Sequence, residues 1–365
     1  MNVCIIGDGL TSLSLAKNLV KKKINVHIYY KKTAGNFLSS RTIGISKNNI
    51  EFFNKEIITL DKKIIWKIKQ IEIYSEKIKK NRILNFENNK ETLFYMLKND
   101  ELYKSLNYNL SKSKFFKKIM VKQNLFYDKL PIKNNYDLII NCDQNNPISK
   151  KYFIQKITKD YKNFAYTTIL EHEKLENSSA IQIFTSLGPI AFLPVSNTKT
   201  SVVCSLDTSN KRYNDNEILE LINKYNLKFK IKKNSKINSF ALKSSNLRKY
   251  YHNNILAFGD LLHKIHPLAG QGFNMTIRDI KVLSEIIQNK IDLGLQLNAF
   301  TLEEFQNKTK NKNFIFSNGI DFVYELFNFD KKSDGKNLNK ILKYLGTNKN
   351  FMSSVIKFAD KGLNF

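Results

Sequence analysis

The sequence predicts an α/β fold in which a parallel sheet is interrupted by an inserted antiparallel β-sheet and followed by C-terminal helices. Three observations carry this expectation. Short apolar runs of the buried-strand kind stand at Val3-Cys4-Ile5-Ile6, Asp137-Leu138-Ile139-Ile140 and Ile255-Leu256-Ala257-Phe258, and such runs suit parallel strands covered on both faces. Between them, residues 163–206 hold four longer β-type runs separated by turn residues. From Thr301 onward the pattern is helical.

In chain order, the first strand ends at Gly7-Asp8-Gly9, and Leu10, Leu13, Ala16 and Val20 then recur at helical spacing. Val26-His27-Ile28-Tyr29 is a second strand, so the opening is a strand–turn–helix–strand unit and begins a parallel sheet. Residues 67–75 alternate as a strand of another sheet. FAYTTILE, AIQIFTS, PIAFLPV and SVVCSL form the inserted sheet. After Phe258 come Gly259-Asp260, and a helix is expected from about Gln271 to about Asn289.

The chain has 365 residues, enough for two or three domains at about 150 residues each. Hydrophobic residues make up 42% and charged residues 25%, a composition that forms a core and excludes disorder as the main state. No apolar run reaches the 18 residues of a spanning helix, and the opening MNVCIIGDG carries no charged and apolar leader regions, so a cytoplasmic protein is expected. Cys4, Cys142 and Cys204 are odd in number and far apart, which argues for a reducing compartment and against a disulfide framework or metal site.

Sixty Lys and Arg against 32 Asp and Glu leave a formal charge of +28, yet only five of the cations are Arg. Specific nucleic-acid readout favours the Arg fork, so no nucleic-acid partner is expected. A solvated, lysine-biased surface and attraction to an anionic membrane surface both fit the charge.

Two segments can carry chemistry. Gly7-Asp8-Gly9-Leu10-Thr11-Ser12 sits between strand and helix, where glycines let the backbone approach a pyrophosphate at a helix N-terminus. A plain strand–turn–helix fits it too. The third glycine of the usual pattern is Ser12, and Tyr30 stands where a ribose-binding acid is expected. The second segment, residues 259–279, reads GDLLHKIHPLAGQGFNMTIRD. It joins a carboxylate at a strand end, Asp260, to a Gly270-Gln271-Gly272 helix opening whose N–H groups suit an anion. The i,i+3 pair His263 and His266 fits loop hydrogen bonding better than a metal, and Glu171-His172-Glu173 reads as a solvated strand end.

That second segment resembles the flavin motif of the group A FAD-dependent aromatic hydroxylases, the para-hydroxybenzoate hydroxylase fold. It is most similar to the branch that hydroxylates the ring in ubiquinone biosynthesis (GDAAHxxHPLAGQGxNxGxRD). Arg41-Thr42-Ile43-Gly44-Ile45-Ser46, residues 66–74, residues 184–194 and residues 321–327 extend the similarity over nearly the whole chain.

The resemblance implies a Rossmann-like FAD-binding domain in segments 1–65, 80–155 and 246–300. A substrate-binding β-sheet domain is implied at 66–79 and 156–245, and a C-terminal helical region at 301–365. The implied cofactor is FAD, its pyrophosphate received by Gly7 and Gly9, with Leu10, Thr11, Ser12, Tyr30, Asp143 and Gly259 completing that end. Arg41 is implied at the phosphate or ribityl side and Asp260 on the ribityl chain. Pro267 would lie against the isoalloxazine where oxygen is activated, with Gly270, Gln271, Gly272, Phe273 and Asn274 along its pyrimidine edge.

The implied reaction is hydroxylation of a polyprenylphenol-type substrate by O2 through a flavin hydroperoxide, with catalysis resting on Pro267, Gly270, Gln271 and Gly272 and no metal. Electrons would come from NAD(P)H or a separate reductase. Where relatives carry Asp-Gly followed by an Arg, this chain has Asp143-Gln144-Asn145-Asn146-Pro147. With Ser12 and Tyr30 this makes three departures, all on the adenosine or donor side, which imply weaker FAD binding. Two other readings attach to the same fold: a flavoprotein reductase or dehydrogenase, and a non-catalytic subunit of a ubiquinone-biosynthesis complex. The aromatic C-terminal stretch (Phe314, Phe316, Phe322, Tyr324, Phe327, Phe329, then Phe351, Phe358 and Phe365) fits helix packing or contact with a lipid tail or peripheral membrane surface.

Overall fold

The computed structural model describes residues 1–31, 41–76, 82–87, 91–121, 136–209, 211–266, 270–332 and 348–362. Its elements in order are β1 (Asn2–Ile6), α1 (Leu10–Lys21), β2 (Asn25–Tyr30), β3 (Thr42–Ser46), α2 (Lys47–Glu56), β4 (Ile65–Ile68), β5 (Gln70–Ser75), β6 (Arg82–Glu87), β7 (Phe94–Lys98), α3 (Asn99–Ser111), β8 (Phe116–Met120), β9 (Leu138–Asn141) and α4 (Pro147–Tyr152). Then follow β10 (Lys156–His172), β11 (Ser179–Thr185), β12 (Gly188–Pro194), β13 (Lys199–Asp207), α5 (Asp215–Tyr225), β14 (Ile231–Asn234), β15 (Asn238–Leu247), β16 (Tyr251–His252) and β17 (Ile255–Ala257). A 3-10 turn (Gly259–Leu261), β18 (His263–Lys264), α6 (Gln271–Asp292), α7 (Ala299–Lys332) and α8 (Lys349–Lys361) complete the chain.

The first sheet runs β16-β17-β9-β1-β2-β8. Its members are parallel except for the β16–β17 hairpin. Val3 to Ile6, Leu138 to Ile140 and Leu256 to Ala257 are wholly buried, which is why these strands read as continuous apolar runs. Leu13, Leu15, Ala16 and Leu19 of α1, Leu102, Leu106 and Leu110 of α3, and Ile277, Ile280, Leu283 and Ile287 of α6 pack into the same core. Each fully buried aliphatic side chain contributes about 1.5–3 kcal/mol relative to exposure.

The second sheet runs β18-β15-β10-β13-β12-β11-β5-β6, with β14 beside β10. It is mixed where a purely antiparallel insert was expected, because β5 lies parallel to β11. β5 precedes β10 of the large sheet by some eighty residues and seats itself between β11 and β6, a position that local alternation cannot orient. Residues 67–75, read as one strand, divide at Lys69: β4 joins the small sheet β3-β7-β4, and β5 joins the large one. β6 also pairs with β5, although residues 82–87 fall in the segment assigned to the nucleotide domain. The small sheet is tied to the large one by Trp66 Nε1 donating to Asn177 O (2.6 Å) and Thr42 Oγ1 to Ser201 Oγ (2.9 Å).

The solvated strand end at Glu171-His172-Glu173 needs correction at its centre. Glu171 and Glu173 pair with Lys199 and Lys230, but His172 is buried. Its ring nitrogens lie 2.8 Å from Glu173 O and 2.9 Å from Thr200 Oγ1. At the C-terminal end Phe316 stacks on Phe358 at 4.9 Å and Tyr324 is buried, whereas Phe314 and Phe322 are exposed. The side chains of Phe327, Phe329 and Phe351, and all of Phe365, lie outside the described residues. Among the described residues no helix is long and apolar enough to cross a membrane.

Candidate active site

Four chain segments meet at the C-terminal edge of the parallel sheet, where α/β folds place ligands. The first is the turn after β1. The Gly7 N–H donates to Tyr29 O at 2.8 Å, and Gly9 caps α1 with no side chain on the first-turn N–H groups and no acid in that turn. Where a Cβ on Gly9 would stand, no atom of the described residues lies within 4 Å. Open space before a positively polarised helix end is a cradle for an anion.

The second segment follows β9. Cys142 N donates to Ile6 O at 2.9 Å, and the chain then folds on its own polar side chains. Asn146 caps α4 by accepting from Ser149 N (2.8 Å) and donates to Asn141 Oδ1 (2.7 Å). The carbonyl of Asp143 accepts from Ser149 Oγ and Asn146 Nδ2. Gln144 then reaches across, its Nε2 donating to Asp260 O at 2.6 Å. Side-chain amides here do the work of the missing glycine, and they clip the segment to the next one.

That third segment leaves β17 through Phe258, whose N–H donates to Asn141 O at 2.9 Å. Gly259 follows at φ +63°, and a Cβ there would stand 2.7 Å from Thr11 Cγ2. Only glycine meets both demands, a left-handed backbone and contact with the first turn of α1. Asp260 beside it is exposed.

The fourth segment opens α6. Gly270 caps it at φ +63°, facing Gly44 of β3, again with no side-chain cap and no acid in the first turn. Gln271 accepts from Arg278 Nη2 at 3.2 Å, and Phe273 packs near Phe53. Burial pushes the Arg278 guanidinium down to about 10, against the opposing pull of Asp279 and Asp360.

Asn274, expected along the flavin's pyrimidine edge, bonds β3 and α2 through its side chain. Its amide donates to Gly44 O (2.8 Å), and its carbonyl accepts from Ser46 N (2.9 Å) and Asn49 Nδ2 (2.9 Å). Its hydrogen-bonding capacity is consumed in holding β3 and α2 against α6. Arg41, expected at the phosphate or ribityl side, sets its guanidinium over the Phe240 ring of the large sheet at 4.8 Å. Pro267, with Leu268 and Ala269, lies outside the described residues.

The residues flanking that loop are buried and paired. His263 Nε2 lies 2.5 Å from Asp279 Oδ2, and Asn313 donates to Asp279 Oδ1 at 3.0 Å. His266 packs between the rings of Tyr161 (4.7 Å) and Tyr324 (4.3 Å), and Tyr161 donates to Asp321. Burial, helped by Lys159, pushes His266 down to about 4, so its ring is neutral near pH 7. The sequence could not single out the polar group around Tyr30. Lys118 of β8 stands over the Tyr30 ring and pairs with Asp8, but nothing marks it among 55 lysines.

Two uncapped, acid-free helix starts, the open space at Gly9 and an exposed carboxylate at Asp260 fit a long ligand that is anionic at its centre and carries hydroxyls, as FAD does.

Comparison with known proteins agrees with that fit. The squalene epoxidase family model matches residues 137–363, more than half of the chain. The mitochondrial ubiquinone biosynthesis monooxygenase COQ6 of Dictyostelium discoideum is 24% identical over 89% of this chain and 84% of its own length. The 3-demethoxyubiquinol 3-hydroxylase of Escherichia coli K12 is 29% identical over 45% of this chain and 44% of its own. Among solved structures, p-nitrophenol 4-monooxygenase PnpA from Pseudomonas putida superposes with a TM-score of 0.78 at 12% identity, covering 98% of each chain. Klebsiella pneumoniae HpxO, solved with FAD and uric acid, does so at 0.76 and 11% identity, covering 98% of this chain and 96% of its own. With the dinucleotide cradle, the flavin-motif segment and the whole-chain fold all agreeing, the chain belongs to the squalene epoxidase family and is an FAD-dependent monooxygenase of the aromatic-hydroxylase fold.

Proposed function

We propose that this enzyme hydroxylates the aromatic ring of a polyprenylated phenol on the route to ubiquinone. The observation that carries the reading is the similarity to the Dictyostelium discoideum ubiquinone biosynthesis monooxygenase across 89% of this chain, flavin-motif segment included. Bound FAD supplies the oxygen activation and the electron transfer. The chain supplies binding, orientation and shelter from water.

In this reading Gly7, Gly9 and the first-turn N–H groups of α1, from Leu10, Thr11 and Ser12, hold the pyrophosphate. Asp260, placed by Gly259 and steadied by Gln144, holds the ribityl hydroxyls. The N-terminus of α6 at Gly270, Gln271 and Gly272 stabilises negative charge on the pyrimidine edge of the reduced ring, because a helix start directs its first N–H groups and the positive end of its dipole there. Asn274 acts at one remove by fixing β3 beneath that helix start. Arg41 on Phe240 marks the border with the substrate sheet. A charge of +28 draws the enzyme to an anionic membrane surface, where a polyprenyl-tailed substrate resides.

The test uses the full chain with FAD, a short-tailed prenylphenol and 18O2. NAD(P)H in one arm and a separate flavin reductase in another identify the electron donor. One labelled oxygen on the product ring is expected. Turnover of the reductant with no label in any product would overturn the reading in favour of a reductase or dehydrogenase.

A further inference from the structure

Dinucleotide-binding βαβ units commonly hold the adenosine ribose with a carboxylate at the end of the second strand. Here β2 ends in Tyr30, which offers no carboxylate. A carboxylate does lie close by, from another element. Asp8, between the two glycines of the turn, accepts from Tyr103 OH of α3 at 3.3 Å and pairs with the Lys118 ammonium of β8 at 3.3 Å. Lys118 also donates to Tyr103 OH (2.9 Å) and stands 4.6 Å from the centre of the Tyr30 ring. Lys118 therefore brings the Asp8 carboxylate and the Tyr103 hydroxyl into one cluster beside the end of β2, where the usual carboxylate would stand.

Two features make this group more than a surface ion pair. Among the described residues both contacts to Asp8 land on Oδ2, which leaves Oδ1 for a ligand. Asp8 is also the neighbour in sequence of Gly9, where no atom of the described residues lies within 4 Å of an added Cβ and where the pyrophosphate is expected. An aspartate next to a pyrophosphate is repulsive unless a cation offsets it, and at about 3–4 Å a paired ammonium does so. Burial by itself would lower the Lys118 pKa, but the hydrogen bond to Tyr103 and the charge of Asp8 outweigh it and hold the ammonium charged.

We propose that the ribose-binding carboxylate of this site has moved from the end of β2 into the turn. Asp8 accepts from the adenosine ribose hydroxyls of FAD, while Lys118 and Tyr103 are positioning residues that orient it and offset its charge beside the pyrophosphate. The inference rests on the cofactor and is independent of the hydroxylated substrate.

The adenosine end can be read alone by calorimetry with ADP and 2′,3′-dideoxy-ADP on the full chain freed of flavin, and FAD affinity follows from flavin fluorescence. The unaltered chain prefers ADP over the dideoxy analogue by about tenfold or more, as expected for hydrogen bonds to a charged acceptor. Asp8→Ala brings that ratio to about one and weakens FAD by a similar factor, with FMN binding unchanged. Adding Tyr30→Glu to Asp8→Ala restores the ratio, because it returns a carboxylate to the strand end, and this also shows that the single variant had folded. Lys118→Met weakens both ADP and FAD. An unaltered chain indifferent to the ribose hydroxyls, or an Asp8→Ala chain that keeps its preference, would overturn the proposal. Either result would leave the monooxygenase assignment standing.

Discussion

The two ends of the dinucleotide site are built in different ways. At the start of α6, order comes from buried groups hydrogen-bonded to one another: Asn274 to Gly44, Ser46 and Asn49, and Asp279 to His263 and Asn313. Around the β1 turn, order comes from half-exposed charged and phenolic groups, Asp8, Lys118, Tyr103 and Tyr30. A buried network is costly to break, because each stranded donor or acceptor loses its solvation without recompense. A half-exposed cluster is cheap to alter, because water replaces what is removed. The start of α6, proposed to hold the flavin ring, therefore tolerates little sequence change, whereas the β1 turn, proposed to hold the adenosine, can exchange one set of groups for another.

The sharpest way to break this comparison is Asn274→Ala. It strands the Ser46 N–H and the Gly44 carbonyl in the interior, while Asn49 keeps its bond to the main-chain carbonyl of residue 274, and a loss of about 2–5 kcal/mol in urea unfolding is expected at about 1–3 kcal/mol per group. A loss under about 1 kcal/mol would place the site's rigidity elsewhere.

The pH dependence of stability comes next. Buried His266 has a folded value near 4 against 6.5 for the free side chain. A depressed histidine leaves the unfolded chain holding more protons between those values, so stability falls as pH drops from about 6.5 toward 4 and is flat above. At about 1.4 kcal/mol per unit the decline is about 3 kcal/mol. His266→Gln should flatten the curve in that window.

Gly259→Ala forces a Cβ against Thr11 at a left-handed backbone position, and a loss of about 2–3 kcal/mol with weakened FAD binding is expected. Adding Thr11→Ser removes the clashing methyl and should return part of the loss, which a thermal melt would detect.

Lys118→Met completes the series at the other end. Its stability change should stay within about 1 kcal/mol, as for partly exposed ion pairs. A larger change in chemical denaturation would mean that the adenosine end is built like the ring end after all.

Much of this protein was legible in the residues themselves. Continuous apolar runs named the parallel strands because both faces of that sheet are covered, and period-two stretches named the long strands of the large sheet. The Gly-Gln-Gly helix start and Asp260 could be read because such backbone geometry leaves a residue signature. What the sequence could not settle has one physical cause: the partners lie far apart in the chain. The parallel seat of β5 beside β11 and the turning of Asn274 toward β3 depend on neighbours more than a hundred residues away. Local periodicity reports which face of an element is apolar, but not which element meets it. Lys118 is the plainest case, ordinary in sequence and singled out only because β8 places it beside Asp8 and Tyr30. The chain's own residues determined the fold class and the kind of ligand. Which side chains grip that ligand was decided only when the strands took their places in the sheet.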